Sequence, residues 1–316
     1  MRRVKECLPC ADHVIARQVP AGDTSDSPGT MYLRQDGPFH KTRLMDMAVR
    51  GNPGYDGYVM VDADLYMTEE VAEYIVKNVG DAGLVFPFGD TVYMDEVDTV
   101  RMSEQGDLWP GEKDHGVLIH RQTGLCVAFT RAGFDAVGGF DEAFTGWGAE
   151  DDAFMFKFRR MGMEVRRNPD RGAVAYHMFH RKVNDRDYLE GPDYRRNRVY
   201  CACIRRMSPE DFGKYLSGES TLDSLVEKYT AMGRLEVELR WQVTPMNTLK
   251  IDTTLYDIDR CGPMTIGKIL DEVEREDGPE GIVWFVDTIF RKLQGIPEGM
   301  MAEVEARYGE AKRCLS

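Results

Sequence analysis

The sequence has no long hydrophobic run. A typical apolar stretch, Gly281-Ile282-Val283-Trp284-Phe285-Val286, is six residues long, against the ~20 that a membrane-spanning helix needs. Nor does an apolar signal core follow Met1-Arg2-Arg3-Val4-Lys5, so the expectation is a cytoplasmic protein with no membrane span. Positive charge is scarce: 40 Lys and Arg face 54 Asp and Glu, a net charge of -14, which argues against the basic face of a general nucleic-acid binder. The seven cysteines are an odd number, which excludes a complete disulfide set. The close pairs Cys7/Cys10 and Cys201/Cys203 would form a zinc site only if four ligands converged, so reduced thiols are the expectation. Repeats and low-complexity tracts are absent.

What is present is an ordinary globular composition, with 42% hydrophobic and 30% charged residues over 316 positions. That is enough for a catalytic domain and a smaller appendage. Residues 1–206 alternate short apolar runs with amphipathic segments, the pattern of an α/β domain. Strands are expected at His13–Arg17, Tyr58–Val61, Leu84–Pro87, Leu125–Phe129 and Ala173–Tyr176. Helices are expected over Lys41–Arg50, after Thr68, and from Gly148 to the stop at Gly162. Gly89–Gly116 reads as a long irregular acidic loop. From Ser208-Pro209 onwards helical patterns dominate, interrupted by a β-rich stretch over Gly233–Thr254, so residues 207–316 are expected to form a mainly α-helical accessory domain. Basic charge concentrates at 155–215, which carries 15 Lys and Arg against 8 Asp and Glu. A phosphate-bearing ligand nearby and a plain solvated surface both fit that excess.

Three clusters carry chemistry. Asp62-Ala63-Asp64 follows an apolar strand, and residues two apart on a strand face the same way. Two carboxylates at the carboxyl end of a sheet suit Mg²⁺ or Mn²⁺, while a pair of loop-capping aspartates is the plain alternative. Gly146-Trp147-Gly148-Ala149-Glu150-Asp151-Asp152 puts three acids at a helix N-terminus, where the dipole favours them but their mutual repulsion does not. One of them is placed to act as a general base, and Trp147 offers a flat face on which a sugar could stack. Tyr176-His177-Met178-Phe179-His180 brings two of the six histidines to the end of a strand. Neutral imidazole is a good ligand for manganese as well as zinc.

In this order the clusters resemble the GT-A glycosyltransferases, closest to the inverting galactosyl- and N-acetylgalactosaminyltransferase-like branch with its Gly-Trp-Gly-x-Glu-Asp-Asp signature. The resemblance runs over roughly residues 13–185. It implies a Rossmann-like mixed sheet flanked by helices, and Mn²⁺ (or Mg²⁺) on the diphosphate of a nucleotide sugar, with a UDP-sugar as the implied donor. Asp64 maps onto the direct metal ligand, His177 and His180 onto the later ligand segment, and Asp62 onto the ribose or the outer shell of the metal. Asp151 maps onto the catalytic base, with Glu150 and Asp152 orienting it or holding the acceptor beside Trp147 and Gly148. Phe39-His40-Lys41-Thr42-Arg43-Leu44 resembles the family's Phe-Asn-Arg-Ala-Lys-Leu segment, which makes Lys41, Arg43 and Asp46 candidate donor contacts. Gly124 resembles the glycine beside the donor sugar. Two departures stand out. The family's first strand, which helps to grip the uracil, is not found, leaving the nucleotide open, and Ala149 replaces a frequent glycine.

The expected reaction is a single in-line displacement with inversion. Asp151 takes the acceptor's proton, and loops at Gly89–Gly116 and Thr145–Gly148 close over the donor. The acceptor is unread: a glycan, a protein, a small molecule or a modified nucleobase all fit. The rival readings are a nucleotidyltransferase on a related scaffold, a two-metal phosphodiesterase or nuclease, and a binding protein without turnover.

Overall fold

The computed structural model describes residues 6–105, 117–120, 122–170, 172–180, 192–232, 241–243, 248–251, 254–257, 263–288, 290–292 and 298–315. Contacts divide the chain into two compact units, Met1–Val237 and Glu238–Ser316.

In the first unit, β1 (Ile15–Val19) and β2 (Thr30–Arg34) form a parallel pair. Then follow α1 (Lys41–Arg50), β3 (Gly57–Val61), β4 (Leu65–Tyr66), α2 (Glu69–Asn78), β5 (Leu84–Phe86) and β6 (Asp90–Tyr93). They are succeeded by α3 (Glu96–Gln105), β7 (Val117–His120), β8 (Cys126–Thr130), α4 (Arg131–Ala136), α5 (Glu150–Arg160), β9 (Val165–Arg167) and β10 (Val174–His177). The unit ends with α6 (Pro192–Arg206), α7 (Pro209–Leu216) and α8 (Leu222–Ala231). Two four-stranded mixed sheets result, in the orders β3-β8-β5-β9 and β4-β10-β6-β7. This is the mixed α/β architecture that the motifs imply.

Local chemistry explains the element ends. Thr68 caps α2 by accepting from the Val71 N–H, and Ser208 caps α7 by accepting from the Asp211 N–H. Gly162 stops α5 with a φ of 68°, a conformation that costs glycine little. The stretch read as a long loop is more ordered than its acidity suggests. β6 pairs with both β10 and β7, and the Asp95 carboxylate accepts from the Asp98 N–H at the start of α3. Residues 106–116 lie outside the described residues.

α5 packs its phenylalanines against the first sheet. Phe140 and Phe154 stack at 3.9 Å between ring centroids, and Phe129 meets Phe154 edge-on at 5.3 Å. At about 1.5–3 kcal/mol for each large side chain buried, this cluster fixes the angle at which the N-terminus of α5 meets the sheet. Phe212, Leu222, Leu225 and Tyr229 join the same cluster. That is why the unit boundary falls at Val237/Glu238, later than the 206/207 division expected from composition: α7 and α8 close the core of the catalytic unit.

The second unit holds a three-stranded antiparallel sheet of β11 (Trp241–Val243), β12 (Thr248–Ile251) and β13 (Thr254–Asp257). It also holds the helices α9 (Pro263–Thr288), broken at Gly278, and α10 (Glu298–Leu315). Leu270, Phe285, Val286, Met300 and Val304 form the core between the helices.

Candidate functional site

The site is built from strand register. Leu65 of β4 lies opposite His177 of β10, and the Met178 N–H donates to the Asp64 carbonyl at 2.8 Å. Asp64 is thereby held against the histidine segment. Its Oδ2 lies 3.4 Å from His177 Nε2 and 3.2 Å from His180 Nε2. One ligand atom from each of the three residues lies within 4.8 Å of the others. Asp64 Oδ1 is buried and accepts no hydrogen bond. A carboxylate and two imidazoles around an unsatisfied oxygen form a donor set that fits Mn²⁺. Tyr93 stacks on His177 at 4.3 Å and fixes its plane. Among the described residues no cysteine belongs to a metal-ligating group.

Asp62 takes a different partner. A turn carries the chain from Asp62 to Leu65, closed by the Leu65 N–H on the Asp62 carbonyl at 3.2 Å. The strand geometry that would aim both carboxylates at one spot therefore stops at Val61. Asp62 Oδ2 instead meets the Lys41 ammonium at 3.2 Å. The same ammonium lies 3.3 Å from Glu150 Oε1, and 3.0 Å and 3.4 Å from Asp151 Oδ2 and Oδ1. One lysine from the first turn of α1 thus joins the end of β3 to the N-terminus of α5.

This cluster is partly buried, with only Glu150 fully so, and that burial sets its electrostatics. Desolvation pushes the Asp151 carboxyl well above the usual carboxylate range, with Lys41 opposing and Glu150 and Asp62 reinforcing. Asp62 is raised for the same first reason, again against the pull of Lys41. For Lys41, burial works against the charge, but Asp151, Asp62 and Glu150 outweigh it and hold the ammonium well above its ordinary value.

Backbone strain gathers here too. Leu125 (φ 74°) and Ala149 (φ 65°) are the positive-φ residues other than glycine among the described residues. Each costs on the order of 1–3 kcal/mol. Leu125 presents its carbonyl to the Asp62 N–H at 2.8 Å, and Ala149 is the N-cap of α5. The conformation of Ala149 is one that glycine adopts freely, which gives a physical reason for the glycine common at this place in the resembling family. A Cβ on Gly124 would stand 2.9 Å from Asp151 Oδ2, so the bare backbone there leaves room for the carboxylate.

The remaining expected residues divide. Asp152 accepts from the Thr123 hydroxyl. Trp147 stacks on Tyr194 at 5.4 Å, so one face of the indole is already covered. Gly148, with a φ of 102°, is pressed against the Tyr194 ring. The structure does not bring Arg43 and Asp46 to the cluster. Arg43 points the other way around α1, to Gln35 at 3.0 Å and Glu142 at 3.8 Å. Asp46 pairs with Arg50 and accepts from the Phe140 N–H at 3.2 Å.

The residues that sequence reasoning missed are supports. Asn197 donates to the carbonyls of Thr145 (2.9 Å) and Trp147 (3.3 Å), Arg196 bonds the Thr145 hydroxyl, and the Gly146 N–H meets the Phe39 carbonyl at 2.7 Å. The Thr145–Gly148 segment, expected as a closing loop, is fastened to α6. An asparagine inside a helix of poor propensity for it was the available signal. Gln122, which bonds the Tyr93 hydroxyl at 2.6 Å, had none beyond its place two residues before Gly124.

No helix among the described residues is long and apolar enough to cross a membrane. Residues 119–181 match the family described as the N-terminal domain of galactosyltransferase. No curated protein matches the chain. Two solved structures of Drosophila beta1,4-galactosyltransferase 7 are similar at 14% identity, each covering 81% of this chain and 83% of that one. One is a mutant in complex with manganese, UDP-Gal and xylobiose, at a TM-score of 0.40, and the other is the catalytic domain with xylobiose, at 0.38. The family match spans the acid cluster and both histidines, so the resemblance read from the motifs is borne out over those residues.

Proposed function

We propose that the chain is a metal-dependent inverting glycosyltransferase, moving a sugar from a nucleotide sugar, with a UDP-sugar as the first candidate, to an acceptor hydroxyl. The observation that carries this reading is a juxtaposition. A half-buried carboxylate, Asp151, is tied through Lys41 to Asp62, two residues from the cation-ready group of Asp64, His177 and His180. Base and diphosphate sites on one short path are what a direct displacement requires.

Asp64, His177 and His180 would hold Mn²⁺. When bound, the ion supplies positive charge against the leaving diphosphate. Asp151 accepts the proton of the attacking hydroxyl, and the desolvation that raises its affinity for protons makes it a stronger base than an exposed carboxylate. Glu150 keeps Lys41 in place, Asp152 braces the loop through Thr123, and Trp147, stacked on Tyr194, lines the acceptor side of the cluster. Arg43 and Asp46 have structural partners in the donor-free protein and are left out of the donor site proposed here.

The test is a screen of nucleotide sugars with Mn²⁺, with and without acceptors, starting from UDP-Gal and xylobiose as probes. Transfer by the parent and its loss by about 10²–10⁴-fold in Asp151→Asn is the expected outcome. Turnover of nucleoside triphosphates instead would favour a nucleotidyltransferase, and normal transfer by Asp151→Asn would remove the base assignment.

A further inference from the structure

Lys41 raises a mechanistic difficulty. Both oxygens of Asp151 lie within 3.4 Å of its ammonium, and a carboxylate engaged in charged hydrogen bonds is a poor acceptor for the proton of an incoming hydroxyl. Asp151 itself is carried on the first turn of α5, beside the bare backbone of Gly124. The mobile partner is the lysine, whose charge sits at the end of a flexible four-carbon stem. Its other contacts point the way. Glu150 lies beside Asp151, while Asp62 lies on the side of the cation-ready group, two residues before Asp64.

We infer that Lys41 is an exchangeable counter-ion. In the donor-free site it holds Asp151, and when a diphosphate binds next to Asp64 it transfers its ammonium to the phosphate oxygens and releases the base. The inference rests on the donor reading above and deepens it. It assigns Lys41 a positioning role towards the base in addition to any contact with the donor, and it makes base availability conditional on an occupied donor site. No covalent bond changes in this step. One ion pair is exchanged for another, and the carboxylate freed is the one that then takes the proton of the acceptor.

Such an exchange leaves a thermodynamic signature, because the cost of pulling Lys41 off Asp151 is subtracted from the binding of the diphosphate. The experiment is a double-mutant cycle on Mn²⁺-dependent binding of UDP and, separately, of pyrophosphate, by calorimetry. It uses the full chain, Asp151→Asn, Lys41→Met and the double variant, with Lys41→Gln as a second neutral form able to bond the carboxylates should Lys41→Met fold poorly. Asp151→Asn is expected to tighten binding of both probes by about 5-fold or more while Lys41 is present. In the Lys41 variants it should leave binding nearly unchanged. An equal effect of Asp151→Asn with and without Lys41 would overturn the inference, since simple charge removal acts in both backgrounds. Coupling seen with pyrophosphate but no binding of UDP would sink the nucleotide reading and keep the exchange. Binding of UDP without coupling would do the reverse.

Discussion

Lys41, partly buried, and Lys157, fully buried, are two lysines that meet the same helix, and their surroundings set them apart. Lys41, at the N-terminus of α5, faces Asp62, Glu150 and Asp151 and is held well above its ordinary pKa. Lys157, further along α5, donates to the Gly139 carbonyl at 2.7 Å and lies over the Tyr215 ring. Burial pulls it down to about 8, with Asp141 and Asp46 opposing. One lysine answers a surplus of carboxylates. The other accepts a desolvation cost to pin the turn after α4 beneath the core. A surplus of buried acid is the mark of the reacting end of the helix, and a strained cation the mark of its scaffold.

The same substitution at both places should therefore differ in effect. Lys41→Met removes the counter-charge of three acids, and breaking a buried ion cluster from one side costs about 3 kcal/mol or more. Lys157→Met at pH 7 should cost far less or stabilise. Urea unfolding of both variants checks this, and equal losses would erase the distinction. Next in size is the site that lacks an internal cation. With Mn²⁺ at 100 times its dissociation constant, the parent should gain about 2.7 kcal/mol, read as a rise in melting temperature. His180→Ala should lose most of that rise, because it removes one of the three ligands that converge on Asp64. An undiminished rise in His180→Ala would place the ion elsewhere.

Lys157 also has a pH dependence of definite sign. The unfolded lysine titrates at its ordinary 10.5 and the folded one at about 8. Between those values the unfolded state binds more protons, so the stability of the parent rises with pH across that window. Below pH 8 both states are charged and the burial cost is carried in full. The advantage of Lys157→Met measured at pH 7 should shrink by about 2 kcal/mol at pH 10. A gap between the two proteins that is the same at both pH values would show that Lys157 is not buried as a cation.

Much of this architecture was legible in the residues. The helix at Lys41–Arg50, the Thr68 cap and the stop at Gly162 follow from local chemistry, and the structure has them in place. The grouping of Asp64 with His177 and His180 was legible because motif order carried it, although only the β4–β10 register explains it physically. Strand logic failed at Asp62, because the chain had already turned and side-chain alternation ends with the strand. Arg43 and Asp46 lie away from the acid cluster for a related reason. On a helix, residues two apart do not share a face, so Arg43 could not join Lys41, and five residues on, Asp46 met the turn at Phe140. The contact boundary lies past residue 206 because composition does not report which hydrophobic face a helix buries. Tyr229 and Phe212 look like the start of an accessory domain until they are seen in the core with Phe158.

Gly124 gives the finest test of the comparison, because it probes the crowded acid cluster without changing any charge. Its backbone precedes the strained Leu125, and a methyl group there would stand 2.9 Å from Asp151 Oδ2, closer than side-chain carbons ordinarily come. The contact is with the end of a side chain, so the carboxylate should yield before the strand does. Asp151 would then be pushed towards Lys41, which tightens the ion pair and misaims the base. Gly124→Ala should fold normally and bind UDP with Mn²⁺ as the parent does, yet transfer about tenfold more slowly, equivalent to roughly 1.4 kcal/mol at the transition state. The loss should lie in kcat, with little change in the KM for the donor. A variant that instead loses donor affinity at unchanged kcat would assign Gly124 to the donor sugar, and the crowding around Asp151 would then have no bearing on how the base is aimed.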